Sequence, residues 1–347
     1  IGAYEIQLVS GDLLMTEITS PPAVVTGATP YPVTIRFKNV GTDTLTTATV
    51  AYQFGSATAV TETFTGSVAP FDTATYTFTV NLTVPLGVSG ELVAWTAAPN
   101  GAADPTPQND TLRMILCQPI PAGTYTIGSP TSNFPSIAAL SSILNCGGVS
   151  GPVTFLFDGP SNLITEQLAL GSIPGTSTTN TITFDGQGDT IRTAGSAGSA
   201  QVIVLNGSKH IRLRNMYVDA SLANVGIQLL DVENIRIVNN TVAVSLAATS
   251  TATGGIVASG SLTSTTTATT ATDVVVDSNL VIGGYYTIRF NGAAGAPVSN
   301  IRITNNRVMD SHVYAIYTIQ AHDVLIENNE IARPSRTDIT TFYGIYN

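Results

Sequence analysis

The sequence predicts an all-β chain in two parts, an immunoglobulin-like sandwich of short strands followed by a β-solenoid. Three observations predict it. Charged residues make up only 10% of the 347 residues, while Thr, Ser, Ala, Val and Gly dominate, a composition suited to strands and tight turns rather than helical bundles. Residues 1–117 alternate apolar and polar positions with a period of two. From residue 211 onward, an asparagine-bearing segment returns at a nearly regular interval.

The bulk numbers exclude some functions. A net charge of −10 and only two lysines, Lys38 and Lys209, argue against a nucleic-acid partner, because phosphate contacts need cationic side chains. No run approaches the ~18–20 apolar residues of a membrane span. There is no signal-peptide pattern, and Ile1 reads as a processed start.

In the first part, "YPVTIRFKNVG" (31–41) sets Val33, Ile35 and Phe37 against Thr34, Arg36 and Lys38. "TATYTFTVNLTV" (73–84) alternates Tyr76, Phe78 and Val80 with threonines. "ELVAWTA" (91–97) and "TLRMILC" (111–117) follow. About seven short strands with turn signals every ~8–12 residues predict the sandwich. The lone tryptophan, Trp95, is expected in its core. This domain is drawn at 1–117 and the second at 118–347.

"CQPIPAG" (117–123) reads as a linker. "FPSIAALSSILNCGG" (134–148) is the best helix, expected over 135–145. Ile137, Leu140 and Leu144 share one face, Pro135 suits the first turn and Gly147 the C-terminal cap. "PVTFLFDG" (152–159) and "NTITFDGQGDTI" (180–191) are strand-like.

Then "IRLRNMYV" (211–218), "IRIVNNTV" (235–242), "VVVDSNLV" (274–281), "IRITNNRV" (301–308) and "VLIENNEI" (324–331) align without gaps. Asn215, Asn239, Ser278, Asn305 and Asn328 mark them at spacings of 24, 39, 27 and 23 residues. The long interval contains a Ser/Thr/Ala-rich stretch, 246–272. A second ladder follows: "GIQL" (226–229), "GIVA" (255–258), "TIRF" (287–290), "AIYT" (315–318) and "GIYN" (344–347). A period near 24 with two or three strands per repeat means stacked coils, with alternate Ile and Val inside. The asparagines are expected at corners, where their tolerance of left-handed backbone bends the chain. Inward amides at Asn215, Asn239, Asn305 and Asn328 are expected to bond from coil to coil.

Two resemblances add to this. "TIRFKNVGTDTL", "GSVAPFDTATYTF" and "PQNDT" resemble the CARDB-type adhesion module of bacterial surface proteins, over roughly residues 12–117. That implies a spacer or adhesion role. Residues of about 150–347 resemble the right-handed parallel β-helix family, which includes pectin-degrading enzymes and many bacterial surface proteins. "GTYTIGSPTSNFPSIAALSSILNCGG" resembles the opening of β-helix modules in large secreted Bacteroidetes proteins. The resemblance implies a type IX secretion route, an extracellular or outer-membrane location, and a capping role for the helix. Because solenoids end in caps, the polypeptide is expected to continue past Asn347, and further domains of the same chain or self-association are expected partners. Given the implied export, Cys117 and Cys146 are expected to form a disulfide pinning the linker to the cap helix, with two free thiols as the alternative.

β-Helix enzymes work on outward side chains. Lyases of this fold use carboxylates for Ca²⁺ and a Lys or Arg base, and hydrolases use paired carboxylates. The outward columns here are Arg212, Arg236, Val275, Arg302 and Leu325, then Arg214, Val238, Asp277, Thr304 and Glu327. The catalytic candidates are therefore Asp277, Arg302 and Glu327. Asp277 and Glu327 sit two coils apart, roughly 10 Å, which is long for one shared metal ion or one acid pair. The arginines read instead as a solvated face or one that meets an anionic partner. On the second ladder Arg289, Tyr317 and Tyr346 have outward parity and could stack on and hydrogen-bond a sugar. Tyr286, Tyr314 and Tyr343 share the parity of the inward isoleucines and read as packing. His210, His312 and His322 lack ligand spacing, so no metal is expected; calcium is the only cofactor the fold family suggests. Asp43-Thr44-Leu45, Asp72-Thr73-Ala74, Asp110-Thr111-Leu112 and Asp189-Thr190-Ile191 resemble the Bacteroidetes O-glycosylation signal at Thr44, Thr73, Thr111 and Thr190. The expected function is a non-enzymatic adhesin or structural protein binding polysaccharide or cell-surface glycan; the alternative is a carbohydrate-active lyase or hydrolase.

Overall fold

The computed structural model describes residues 9–27, 29–85, 88–193, 201–338 and 341–347. The chain divides between Pro119 and Ile120 into two compact units.

In the first unit, Leu13–Ser20, Thr34–Asn39 and Thr73–Thr77 form a three-stranded antiparallel sheet. Val60–Val68, Leu45–Phe54, Gly90–Ala97 and Thr111–Leu116 form a four-stranded one. The alternation decides the faces. Ile35 and Phe37 are fully buried while Arg36 between them pairs with Glu17 outside. Phe37 meets Phe64 edge-on at 5.2 Å, and Tyr52 meets Phe78 at 4.9 Å, so the inner faces of the two sheets interdigitate as in a sandwich. The "KNVG" turn has a physical cause. Asn39 is buried, donates to the carbonyls of Asp43 and Val68, and accepts from the Gly41 N–H. A Cβ on Gly41 would sit 2.6 Å from the Ser10 carbonyl oxygen. Trp95 is not in this core. Leu92 and Ala94 take the inward parity, which turns Trp95 to the opposite, half-buried face.

The second unit is a solenoid of three parallel sheets. The first sheet runs through Gly123–Ile127, Val153–Phe157, Ile182–Asp185, Ile211–Arg214, Val232–Val238, Ala271–Asp277, Val298–Thr304 and Ala321–Glu327. The second includes Tyr217–Ala220, Thr241–Val244, Leu280–Ile282 and Arg307–Met309; the third includes Val225–Leu230, Gly254–Ala258, Tyr286–Asn291, Tyr314–Ile319 and Tyr343–Tyr346. Each strand pairs in parallel with its counterpart one coil away. Columns such as Leu213, Ile237, Val276 and Ile303 thereby stack in a fully buried core.

The helix is Ile137–Gly147, two residues later than expected. Pro135 precedes the cap. Ser136 is the N-cap, its hydroxyl accepting from the Ala139 N–H at 3.1 Å, and the Glu166 carboxylate accepts from the Ala138 N–H at 3.0 Å, placing negative charge at the positive end of the dipole. Gly148, not Gly147, ends the helix at φ 67°. Ile137, Leu140 and Leu144 join the solenoid core. Both Cys117 and Cys146 are disulfide-bonded.

The asparagine corners exist, but their roles are divided. Asn215, Asn239, Ser278, Asn305 and Asn328 all have φ between 55° and 57°; they bend the chain. The buried amide ladder is one residue further on. Asn240 donates to Asn279 at 3.1 Å, Asn279 to Asn306 at 3.0 Å and Asn306 to Asn329 at 2.9 Å. A left-handed residue throws its own side chain outward at the corner, and the next residue enters the new strand direction pointing in. Of the residues expected to form the inward ladder, Asn239 and Asn215 bond each other, but at the exposed corner. A second set of left-handed residues bends the first-sheet strands at their beginnings, just before Ile211 at His210 and within the strands at Asn234, Asp273, Asn300 and Asp323, with φ from 52° to 60°. The sequence signal for it is the Asn, Asp or His immediately before each "IRI"-like run.

Candidate functional site

The third sheet carries a surface of tyrosines. Its strands kink near their starts: Thr287 and Ile288 are consecutive and both wholly buried, as are Ala315 and Ile316. A Cβ on Gly255, in the Thr287 column, would lie 2.4 Å from Val281 Cγ1 in the core. Two successive inward residues reset the alternation, so the residue before them faces out. Tyr286, Tyr314 and Tyr343, expected inside, therefore share the outer face with Tyr317 and Tyr346.

The rings form two columns. Tyr286 stacks on Tyr314 at 5.2 Å and Tyr314 on Tyr343 at 5.0 Å; Tyr317 stacks on Tyr346 at 5.0 Å and 4°. The columns meet edge-to-face, Tyr314 against Tyr317 at 5.0 Å. Stacked strands set this repeat, and the quadrupoles favour the crossed contacts. Tyr343 is 40% and Tyr346 44% exposed. Burial first, then the neighbouring phenols, pushes the Tyr314 hydroxyl pKa up, so it stays a hydrogen-bond donor at neutral pH.

Arg289 has outward parity but does not contact solvent freely. It is 5% exposed, with its guanidinium carbon 3.9 Å from the Tyr286 centroid and 4.3 Å from that of Tyr317. Its Nε donates to Asn291 Oδ1 at 2.7 Å. The expectation that it contacts ligand directly is corrected: it braces the two columns by cation–π contacts. The Ser/Thr/Ala-rich stretch packs beside this site. Its residues 259–265 lie over the same face, where Gln201 donates to the Leu262 carbonyl, Gln228 to that of Ser259 at 3.0 Å and Asn291 to that of Thr265 at 2.5 Å. The Thr265 hydroxyl in turn donates to the Thr251 carbonyl at 2.5 Å. Arg336 pins the neighbouring loop through the carbonyls of Leu246 and Ala248. Along the tyrosine columns Tyr286 is buried, Tyr314 and Tyr317 are half-buried, and Tyr343 and Tyr346 are exposed.

On the first sheet the outward columns have the expected register. Of the catalytic candidates, Asp277 is already engaged: its carboxylate accepts from Thr304 at 2.5 Å, Asn305 at 2.8 Å and Ser278 at 2.8 Å. Burial raises its pKa, but these bonds outweigh that and hold it below the usual carboxylate value. It is poorly suited to donate a proton. Arg302 lies 3.4 Å from Asp323. Glu327 follows Thr304 in the same column, leaving Thr304 between it and Asp277.

His312 Nδ1 lies 3.3 Å from the Asp338 carboxylate; burial and then Arg336 lower its pKa despite that carboxylate. His210 occupies a corner and His322 is exposed. Among the described residues no cluster of three metal-ligating side chains occurs, and no helix is long and apolar enough to cross a membrane. Thr44, Thr73 and Thr111 are exposed and Thr190 is half-buried. Asp110 and Asp189, which precede two of them, are buried.

A family described as the right handed beta helix region matches residues 225–347. The CARDB domain of a Pyrococcus furiosus protein, solved in complex with di-metal ions, is similar at 20% identity over 34% of this chain and 99% of that one, with a TM-score of 0.27. No curated protein matches. Fold and family match together define the class: an all-β protein with a right-handed parallel β-helix following an N-terminal β-sandwich.

Proposed function

We propose that this is a non-enzymatic secreted or cell-surface protein, an adhesin or structural element in which the sandwich is a spacer and the β-helix a repetitive glycan-binding surface. The observation that carries the reading is the pair of open tyrosine columns. They repeat at 5.0 Å between the coil of Tyr314 and Tyr317 and that of Tyr343 and Tyr346, so an extended saccharide laid along the solenoid axis meets a pair of ring edges and hydroxyls at each of these two coils. Aromatic rings with a polar tip suit sugar faces and hydroxyls. Tyr317 and Tyr346 are the proposed contacts, with Arg289 positioning Tyr317 and Tyr317 stacking on Tyr346. The engaged carboxylate of Asp277 favours binding over the lyase or hydrolase alternative. The oxidised cysteines suit an oxidising compartment; export by the type IX route and O-glycosylation at Thr44 and Thr73, where both motif residues are exposed, belong to the same reading.

The test is a panel of neutral and acidic polysaccharides, measured for binding and, over a day, for product masses. The expected result is retention of at least one glycan without cleavage. A Tyr317→Ala/Tyr346→Ala double variant should lose at least tenfold in affinity, with its melting transition kept. Appearance of shortened chains would overturn the non-enzymatic reading; binding indifferent to the double variant would remove the tyrosine face from it.

A further inference from the structure

A different face, on the first sheet, carries a charge imbalance. Arginines recur there, each reaching toward the left-handed residue of the next coil. Arg236 holds Asp273 with both carboxylate oxygens at 2.9 Å, and Arg302 faces Asp323 at 3.4 Å. At Arg212 the corresponding residue is Asn234. Arg212 Nη1 donates to the Asn234 carbonyl and to its side-chain Oδ1, each at 3.0 Å. An amide satisfies the donor but not the charge. Asp273, the nearest acid, is already bonded by Arg236, Asn234 and Asn300. Arg214, one step along the strand, is taken by Asp185 at 2.9 Å.

Arg212, Arg214 and Arg236 line an open cavity of about 400 Å³ with Thr181, Thr183 and Val238. Across the Asp185–Arg214 pair lies a second cavity of ≈ 610 Å³, lined by Asp185, Gln187, Asn215, Tyr217, Asn239 and Thr241. There Asn239 donates to Asn215 at 2.7 Å and Asn215 to Asp185 at 3.0 Å, a fixed row of amides beside the 39% exposed ring of Tyr217. One cavity offers cations and threonine hydroxyls; its neighbour offers amides and an aromatic face. Guanidinium groups match carboxylate and sulfate oxygens, and the second lining matches sugar hydroxyls and a ring face.

We propose that this corner binds an acidic saccharide, its carboxylate or sulfate at Arg212 and its neutral part along Asn215, Asn239 and Tyr217. Burial, and then the charge of Arg236, depress the pKa of Arg212 against the smaller opposing pull of Asp273; a bound anion adds to that pull. The site is separate from the tyrosine face and stands without it.

Calorimetric titration of the full chain tests this with an oligogalacturonate, a sulfated oligosaccharide, a neutral oligosaccharide of the same length, and inorganic sulfate. At least one acidic oligosaccharide should bind at least tenfold more tightly than the neutral one and than free sulfate, and weaken with added salt. Arg212→Gln should cost at least tenfold. Asn234→Asp, which supplies the missing carboxylate while leaving Arg212 in place, should do the same with the melting transition retained. Arg307→Gln, at an exposed arginine paired with Glu330 on the second sheet, should change nothing. Equal binding of neutral and acidic saccharides, or binding that survives both Arg212→Gln and Asn234→Asp, overturns the proposal. Inorganic sulfate binding as tightly as the oligosaccharides overturns the saccharide assignment.

Discussion

Replacing Asn279 by alanine should destabilise the solenoid by about 2–4 kcal/mol. Asn279 is 2% exposed and sits mid-ladder. Its Oδ1 accepts from the backbone N–H and the side-chain amide of Asn240, at 2.9 and 3.1 Å. Its Nδ2 donates to the Ile237 carbonyl at 2.8 Å and to Asn306 Oδ1 at 3.0 Å. Alanine leaves those partners buried and unpaired, and it is this stranding, more than the lost bonds, that sets the cost. The neighbouring corner should respond differently. Asn305→Gly keeps the left-handed backbone available and loses mainly the exposed bond to Asp277, so the expected change is below ~1 kcal/mol. Denaturant unfolding followed by far-UV circular dichroism compares the two. Equal effects at 279 and 305 would mean that the buried ladder does not hold the coils.

The sandwich should lose stability as pH rises from about 4 to 7. Asp110 is 4% exposed, and burial, reinforced by the charge of Asp104, pushes its carboxyl pKa from 3.8 up to about 7. A bond from the Thr96 hydroxyl at 3.1 Å partly opposes this. Since the folded pKa lies above the unfolded one, the folded state keeps a proton that the unfolded state has released. The contribution of Asp110 to stability is then greatest below pH 4, falls between the two values and reaches its full penalty above 7, of order 2–4 kcal/mol. Asp110→Asn retains an acceptor for Thr96 and removes the charge, so it should be more stable than the parent at pH 8 and equal to it near pH 4. Trp95, the only tryptophan, lines the same cleft as Asp110 and reports this unit selectively by fluorescence. The same pH slope in the parent and in Asp110→Asn would remove Asp110 as its cause.

Much of the fold was legible because solenoid physics is written in short periods. The five asparagine segments fixed the coil spacing, and left-handed tolerance at Asn215, Asn239, Asn305 and Asn328 explained the corners. Ser278 also held a clue. The outer column accepts serine at that coil while Asn279 stays, which marks the second position as the one with side-chain work to do. The candidate site was less legible. Counting by twos put Tyr286, Tyr314 and Tyr343 inside, and it failed because the strand takes two inward residues in succession at Thr287 and Ile288. Trp95 was misplaced for another reason: size and hydrophobicity suggested the core, although its own strand gives the inward parity to Leu92 and Ala94.

By itself, then, the sequence determined the all-β class, the short helix to within two residues, and the register of the arginine and carboxylate columns. All of these follow from local patterns, namely strand alternation, cap chemistry and a repeat that stacks like on like. Tertiary structure alone decided which asparagine of each pair faces inward, which tyrosines are open, and that the Ser/Thr/Ala-rich stretch is held over Gln201, Gln228 and Asn291. Those outcomes depend on contacts between residues 23 to 90 positions apart and on kinks that reset side-chain direction, and neither leaves a mark in any short window of the chain.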